Sequence, residues 1–153
     1  MSTGYFLDTS ALIKRYHREV GTDRVNALFE SEEAILFISD VAIIEFYSAM
    51  ARKVRMGELT QEGYEQVCDF FLGECDQGLF YIEEVNDVVK GKSVELLHSY
   101  ALKLSLRTLD SLQLATAMVL KEREGLDYFV TADSRLAQIV EWTGIVVINP
   151  ENP

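Results

Sequence analysis

Four acidic residues occupy positions where a carboxylate could do chemistry. Asp8 and Asp133 each follow a short apolar run with the length of a strand, and Glu45 and Asp110 each lie early in a strongly apolar helical pattern. An ionised carboxylate at a buried edge is costly unless it is paired or bound to a metal. Carboxylate oxygens without histidine or thiolate ligands favour Mg²⁺ or Mn²⁺ over zinc.

Each acid also has a plain structural explanation. Asp133 could act only as a helix cap, Glu45 could face solvent at a helix edge, and Asp110 could stabilise a helix dipole. The four together, without a matching set of buried bases in the sequence, predict one shared site for a divalent metal.

Apolar runs and helical patterns alternate along the chain, and they predict the elements that must position these acids. The expected strands are residues 5–7, 34–38, 78–83, 128–131 and 145–148. The expected helices are residues 8–16, 22–31, 41–55, 60–74, 88–105, 109–123 and 134–142. Continuous apolar strands favour a parallel sheet covered on both faces. We therefore expect a single three-layer α/β/α domain over residues 1–153, with a central parallel sheet of four to five strands.

Two details of packing are also predicted. A buried stripe on the helix 88–105 is expected from the spacing of Val94, Leu97, Ala101 and Leu104. Phe70 and Phe71 are expected in the core, although part of the segment 64–72 could instead cover a partner surface.

The composition excludes some classes of protein. The 153 residues include 14 basic and 25 acidic side chains, a net charge of −11, which argues against a general nucleic-acid coating protein. An enzyme that meets nucleic acid through metal ions is still compatible with that charge. Cys68 and Cys75 are expected to be core thiols. With neither a signal-peptide pattern nor a ~20-residue apolar run, we expect a cytoplasmic protein without membrane contact.

Four segments carry the acids in order along the chain. They are Phe6-Leu7-Asp8-Thr9-Ser10-Ala11-Leu12-Ile13, Ser39-Asp40-Val41-Ala42-Ile43-Ile44-Glu45, Leu109-Asp110-Ser111-Leu112-Gln113-Leu114-Ala115-Thr116-Ala117 and Val130-Thr131-Ala132-Asp133-Ser134-Arg135-Leu136. As a set they resemble the PIN-domain ribonucleases, most closely the VapC-type toxins of prokaryotic toxin–antitoxin pairs.

The resemblance implies roles for particular residues. The acidic metal ligands and catalytic residues of the family correspond to Asp8, Glu45, Asp110 and Asp133, and its hydroxyls near the metal to Ser10 and Thr131. It further implies the strand order 3-2-1-4-5, a homodimer and a small antitoxin partner that blocks the acidic pocket.

The resulting hypothesis is a Mg²⁺-dependent endoribonuclease that hydrolyses single-stranded RNA, with Mn²⁺ able to substitute. A divalent ion would activate water and stabilise charge on the phosphate and the leaving oxygen. Asp8 and Asp110 are the first candidates for direct ligation, while Glu45 and Asp133 would complete the shell or take the proton of water. Loss of the 3′-oxygen would leave 5′-phosphate and 3′-hydroxyl ends.

Basic residues follow two of the acids along their helices and are candidates for RNA phosphates. They are Lys14, Arg15 and Arg18 after Asp8, and Arg52, Lys53 and Arg55 after Glu45. The ordinary alternative is that these charges only complement helix C-termini.

Other functions fit the sequence less well. A metal-free ribonuclease needs paired acid–base groups, yet His17 and His98 both lie outside the motifs. A haloacid-dehalogenase phosphatase needs a second aspartate where Ser10 stands, and a phospho-receiver domain needs paired acids near the first strand and a late lysine. A catalytically silent PIN-like module that binds RNA or protein is the remaining alternative.

Overall fold

The computed structural model describes residues 1–152, which alternate between strands and helices. The strands are β1 (Thr3–Leu7), β2 (Ala34–Ser39), β3 (Tyr81–Glu83), β4 (Tyr128–Val130) and β5 (Val146–Ile148). The helices are α1 (Thr9–Tyr16), α2 (Thr22–Glu30), α3 (Asp40–Arg55), α4 (Gln61–Asp76), α5 (Asp87–Leu104), α6 (Thr108–Glu124) and α7 (Ser134–Trp142).

The five strands form one parallel sheet in the order β3-β2-β1-β4-β5, as the resemblance implied. In the centre, Phe6 of β1 pairs with Phe37 of β2, and Leu7 pairs with Val130 of β4. From β1, the chain adds β2 and β3 on one side of the sheet and then β4 and β5 on the other, so the strand order reverses at β1. Ligands of parallel α/β sheets bind at such a switch point, at the carboxyl ends of the strands.

Each face of the sheet has its own apolar core, so the domain has three layers. Phe6, Phe37 and Phe129 pack on one face with residues of α5, α6 and α7. Leu7 and Ile38, which alternate with them, pack on the other face with residues of α1 to α4. Both faces of every central strand are therefore buried, which explains the continuous apolar runs.

Side-chain caps fix where several helices begin. Ser39 accepts a hydrogen bond from the amide of Val41, Thr60 from that of Gly63, and Asn86 from that of Val89. These contacts satisfy amides that the helices themselves leave free. The predicted starts of α3, α4 and α5 are confirmed to within a residue or two.

The predicted buried stripe of α5 is only partly correct. Leu97 and Leu104 pack against the core, but Val94 is 67% exposed, and the fully buried residues are Val89, Ser93 and Leu96. The Ser93 hydroxyl lies 2.6 Å from that of Ser111 on α6, so a small polar pair fills the contact between the helices.

Two smaller expectations also differ, and a third is largely confirmed. Phe71 is buried, but Phe70 is 55% exposed, and its ring lies 5.8 Å from that of Tyr16 in an edge-to-face arrangement. The third strand is limited to Tyr81–Glu83. Cys68 is buried and Cys75 half-buried, both as free thiols.

Within residues 1–152, every helix is too short or too polar to cross a membrane.

Candidate functional site

Asp8 stands at the carboxyl end of the central strand. Its amide donates to the carbonyl of Val130 at 3.1 Å, which continues the pairing of β1 with β4. Its side chain is the N-cap of α1 and accepts from the amide of Ala11 at 3.0 Å. Only 5% of the residue is exposed, so the sheet and the helix together fix this carboxylate in a buried position.

Two hydroxyls hold Asp8 from opposite sides. Thr131 donates to Oδ2 at 2.6 Å, and Ser10 donates to Oδ1 at 2.7 Å. The same hydroxyl oxygens accept from the amides of Asp133 and Ala132, both at 3.0 Å. The structure thus places Ser10 and Thr131 beside Asp8, where they tie its carboxylate to the turn that carries Asp133.

Glu45 lies on α3 and is held by two residues that the sequence interpretation did not assign. Thr9 Oγ1 donates to Glu45 Oε1 at 3.0 Å, and Gln113 Nε2 donates to the same oxygen at 2.8 Å. Gln113 is buried, and its own Oε1 has no hydrogen-bond partner within residues 1–152. A sequence signal existed: Gln113 is three residues beyond Asp110, on the same face of an apolar helix.

Arg107, a third residue that the sequence interpretation did not assign, lies close to both Asp110 and Asp133. Asp110 lies in the first turn of α6, and Asp133 caps α7 by accepting from the amides of Arg135 and Leu136. Arg107 comes within 3.7 Å of Asp110 Oδ2 and within 4.0 Å of Asp133 Oδ2. Asp133 therefore serves as the predicted cap and also borders the acidic site.

The acids perturb one another electrostatically. Burial raises the pKa of Asp8 to about 6, and nearby Asp110 adds to that rise, while hydrogen bonds from Thr131, Ser10 and the Ala11 amide oppose it. Burial also raises the pKa of Asp110, followed by repulsion from Asp133 and from Glu45, with Arg107 opposing the rise. All four predicted acids thus belong to one negative region.

The donor set of this region fits a hard divalent cation. It offers carboxylate oxygens, the neighbouring hydroxyls and the amide oxygen of Gln113, which is the ligand chemistry that Mg²⁺ and Mn²⁺ prefer. Within residues 1–152, no group of three or more acidic, histidine or cysteine side chains lies close enough together to hold a metal ion.

The first predicted basic cluster is largely committed to contacts within the protein. Lys14 is 3% exposed and contacts Glu19 at 2.9 Å and Glu151 at 3.1 Å. Arg15 binds both carboxylate oxygens of Glu74, at 2.9 and 2.7 Å. Lys14 and Arg15 would therefore have to leave internal ion pairs before they could meet an RNA phosphate.

Arg18 also has an internal partner, although its side chain is exposed. Its guanidinium contacts Asp23 at 2.9 Å at the surface. Such exposed pairs contribute little stability, so the contact explains the position of Arg18 without assigning it to the site.

The second basic cluster borders an open cleft of about 770 Å³ beside Glu45. Arg52 and Arg55 are exposed and line this cleft with Thr9, Ile44 and Leu109. Lys53 also lines it but pairs with Glu19 at 3.2 Å and Glu58 at 3.7 Å. Among the predicted basic residues, Arg52 and Arg55 are thus exposed side chains that line the same cleft as Glu45.

Comparison with known proteins agrees with this geometry. A family model described as PIN domain matches residues 5–141 of the chain, a range that contains all four acids. No curated protein sequence matches the chain at a significant level.

Solved structures similar to the chain come from toxin–antitoxin systems. VapC20 of Mycobacterium tuberculosis, a sarcin-ricin-loop-cleaving toxin, has a TM-score of 0.68 at 14% identity over 95% of this chain and 99% of its own. DNA-bound VapBC of Salmonella typhimurium gives 0.65 at 16% identity over 98% and 99%. A toxin–antitoxin complex of Klebsiella pneumoniae gives 0.59 at 20% identity over 95% and 97%. Similarities at these identities establish the fold.

Proposed function

The chain belongs to the PIN domain family, and from that membership and its acidic site we propose that it is a metal-dependent endoribonuclease, the toxin of a toxin–antitoxin pair. The observation that carries the proposal is Asp8, a buried carboxylate fixed at the sheet's switch point near Asp110, which in turn is repelled by Asp133 and Glu45. A fold-stabilising role alone does not explain a carboxylate that burial disfavours in its ionised form.

Asp8 and Asp110 would hold a divalent ion, and Glu45 and Asp133 would complete its surroundings. When bound, Mg²⁺ supplies charge stabilisation to the phosphate and promotes ionisation of water. Mn²⁺ has similar ligand preferences and should substitute. The raised pKa values of Asp8 and Asp110 are consistent with this assignment, because an adjacent cation would favour their ionised forms.

Neighbouring side chains would give two of the acids, Asp8 and Glu45, defined roles. Ser10 and Thr131 orient both oxygens of Asp8, so its geometry does not depend on a mobile rotamer. Gln113 and Thr9 occupy Glu45 Oε1 and leave Oε2 to accept a proton or orient water. Hydrolysis would add water to phosphorus and release the 3′-oxygen, giving 5′-phosphate and 3′-hydroxyl ends.

The cleft beside Glu45 is the proposed path of the RNA strand. Its apolar wall, which includes the 72%-exposed Ile44 and 46%-exposed Leu109, suits unstacked bases. Arg52 and Arg55 at its rim suit phosphates. Since unstacked bases are a property of single strands, single-stranded RNA is the proposed substrate.

The proposed partners are a small antitoxin protein and a second copy of the chain. Structurally similar proteins include DNA-bound VapBC of Salmonella typhimurium and FitAB bound to a DNA fragment. An antitoxin segment that enters the cleft beside Glu45 would block access to the acids. Exposed apolar residues such as Phe70 and Leu72 on α4 are candidates for contact with either partner.

A cleavage assay tests the proposal directly. Total RNA incubated with the purified protein should be cut when Mg²⁺ or Mn²⁺ is added, and not when EDTA is present. Asp8→Asn keeps the size and removes the charge, so it should lower cleavage by at least ~100-fold. Mapping of the ends should show 5′-phosphates and 3′-hydroxyls.

Asp69→Asn provides the matched control, because Asp69 carries the same charge on an exposed face of α4. It should cleave as the parent does. Cleavage by Asp8→Asn at the parental rate would contradict the metal-dependent mechanism. Binding of RNA without cleavage at any metal concentration would support a silent binding module instead.

A further inference from the structure

Arg107 lies between the two depressions of the proposed site. It borders the cleft that contains Glu45, Arg52 and Arg55. It also borders a small recess lined by Asp110 and Asp133. Its side chain is 79% exposed, so its guanidinium stands at the surface where a ligand would pass from the cleft to the acids.

The position of Arg107 is unfavourable for helix stability. It is the N-cap of α6, yet within residues 1–152 its side chain makes no capping hydrogen bond. An N-cap prefers a short acceptor such as serine or asparagine, and the positive end of the helix dipole repels a cation. A residue that breaks a local rule at the edge of a site is a candidate for function.

The contacts of Arg107 with the acids are long and exposed. Its nitrogens lie 3.7 Å from Asp110 and 4.0 Å from Asp133, outside hydrogen-bond distance. Exposed pairs of this kind contribute little stability, because water screens them. The guanidinium can therefore leave the carboxylates at little cost when another anion arrives.

We propose that Arg107 binds a backbone phosphate of the RNA strand where the strand passes from the cleft to the acidic site. This inference rests on the proposed function and adds a substrate-positioning residue to it. A guanidinium can bind two phosphate oxygens at once, which fixes orientation as well as charge. Arg107 would also offset the repulsion that four acids exert on an approaching polyanion.

RNA binding in a cleavage-deficient background tests this role without relying on turnover. The Asp8→Asn protein, in EDTA, is titrated against a fluorescein-labelled single-stranded RNA of 20 mixed nucleotides, and anisotropy gives the Kd. Adding Arg107→Ser should raise the Kd about 5- to 20-fold. The slope of log Kd against log salt should fall by ~0.7, the value for one phosphate contact on a single strand.

Two further variants separate binding from structure. Arg123→Ser makes the same change at the other end of α6, where Arg123 pairs with Glu83 at 2.8 Å, and it should leave the Kd unchanged. Arg107→Lys should recover part of the affinity, since it restores the charge but not the bidentate geometry. The melting temperature of Arg107→Ser should equal or exceed that of its parent, because serine is the better cap.

The outcomes distinguish this inference from the proposed function. If the Asp8→Asn protein binds RNA and the same protein with the added Arg107→Ser change binds it equally well, Arg107 has no role in positioning the substrate. A loss of affinity that Arg123→Ser reproduces would reduce the effect to net charge and likewise overturn the inference. If the Asp8→Asn protein does not bind RNA in this assay and the wild-type protein does not cleave RNA with Mg²⁺, the proposed function fails and this inference fails with it.

Discussion

At the scale of single residues, Asp8 shows a conflict between stability and chemistry. Its carboxylate receives three hydrogen bonds, from Thr131, Ser10 and the amide of Ala11. Burial still outweighs them, and the pKa rises to about 6. A residue selected for stability alone would not be ionisable at this position.

The first prediction follows from that pKa. The folded state holds the Asp8 proton up to about pH 6, whereas the unfolded chain loses it near the ordinary value of 3.8. The stability that this difference provides is complete below pH 4 and is lost as the pH rises through about 6. In EDTA, Asp8→Asn should therefore be more stable than wild type at pH 7, by roughly 1–3 kcal/mol, with the difference shrinking towards pH 4.

Urea unfolding of both proteins at several pH values from 4 to 7 measures this difference. Asp69→Asn, on the exposed face of α4, serves as the control and should not reproduce the pH-dependent gain. A constant difference between Asp8→Asn and wild type across the range would contradict the assigned pKa.

At the scale of elements, one ion pair joins α1 to α4. Arg15 binds both oxygens of Glu74, and its guanidinium lies 4.2 Å from the ring centre of Phe29 on α2. Three helices thus meet at one side chain that the sequence interpretation assigned to RNA. Partner residues distant in the chain decide which role a basic residue has.

The second prediction separates those two roles. Arg15→Ala removes the ion pair and the stacking contact and leaves Glu74 half-buried without this partner, so it should lower the free energy of unfolding by about 1–3 kcal/mol. RNA affinity of the folded protein should not change. Thermal unfolding and anisotropy measure the two effects, and a selective loss of RNA affinity would restore Arg15 to the binding surface.

The elements themselves were predictable because local patterns encode them. Buried strands appear as continuous apolar runs, and Ser39, Asn86 and Asp133 mark helix starts through short-range hydrogen bonds. The buried face of α5 was not predictable in this way. It includes Ser93, whose hydroxyl contacts that of Ser111 on another helix.

The candidate site was likewise only partly predictable from local sequence patterns. The four acids could be predicted because Asp8 and Asp133 each follow a strand and Glu45 and Asp110 each lie early in a helix, where a local pattern marks them. Gln113, Thr9 and Arg107 were not assigned, because their importance lies in contacts with Glu45, Asp110 and Asp133 that only the folded chain creates. The sheet order likewise came from family resemblance and not from the local pattern.

At the scale of the whole molecule, the proposed function requires an acidic protein to admit a polyanion. The net charge is −11, yet Arg52, Arg55 and Arg107 all border the cleft beside the acids. Basic residues at the site would attract RNA locally while the acidic remainder limits unspecific binding.

The third prediction tests this division of charge. Replacing both Arg52 and Arg55 with alanine should weaken binding of single-stranded RNA about 10-fold or more, and the slope of log Kd against log salt should fall by ~1.4 for two lost phosphate contacts. Fluorescence anisotropy gives the Kd at several salt concentrations between about 50 and 300 mM, and these values give the slope. The control replaces Arg24 and Arg123, which are exposed residues outside the cleft. An equal loss with that control would show that only net charge matters.

The central position of β1 also sets when the site can exist during synthesis. Asp8 is made 123 residues before Thr131, whose hydroxyl holds its carboxylate. At ~5–20 residues per second, translation of that interval takes roughly 6–25 s. A nascent chain therefore carries Asp8 without the strand that completes its surroundings, and the complete acidic site forms only after β4 has been made and inserted beside β1.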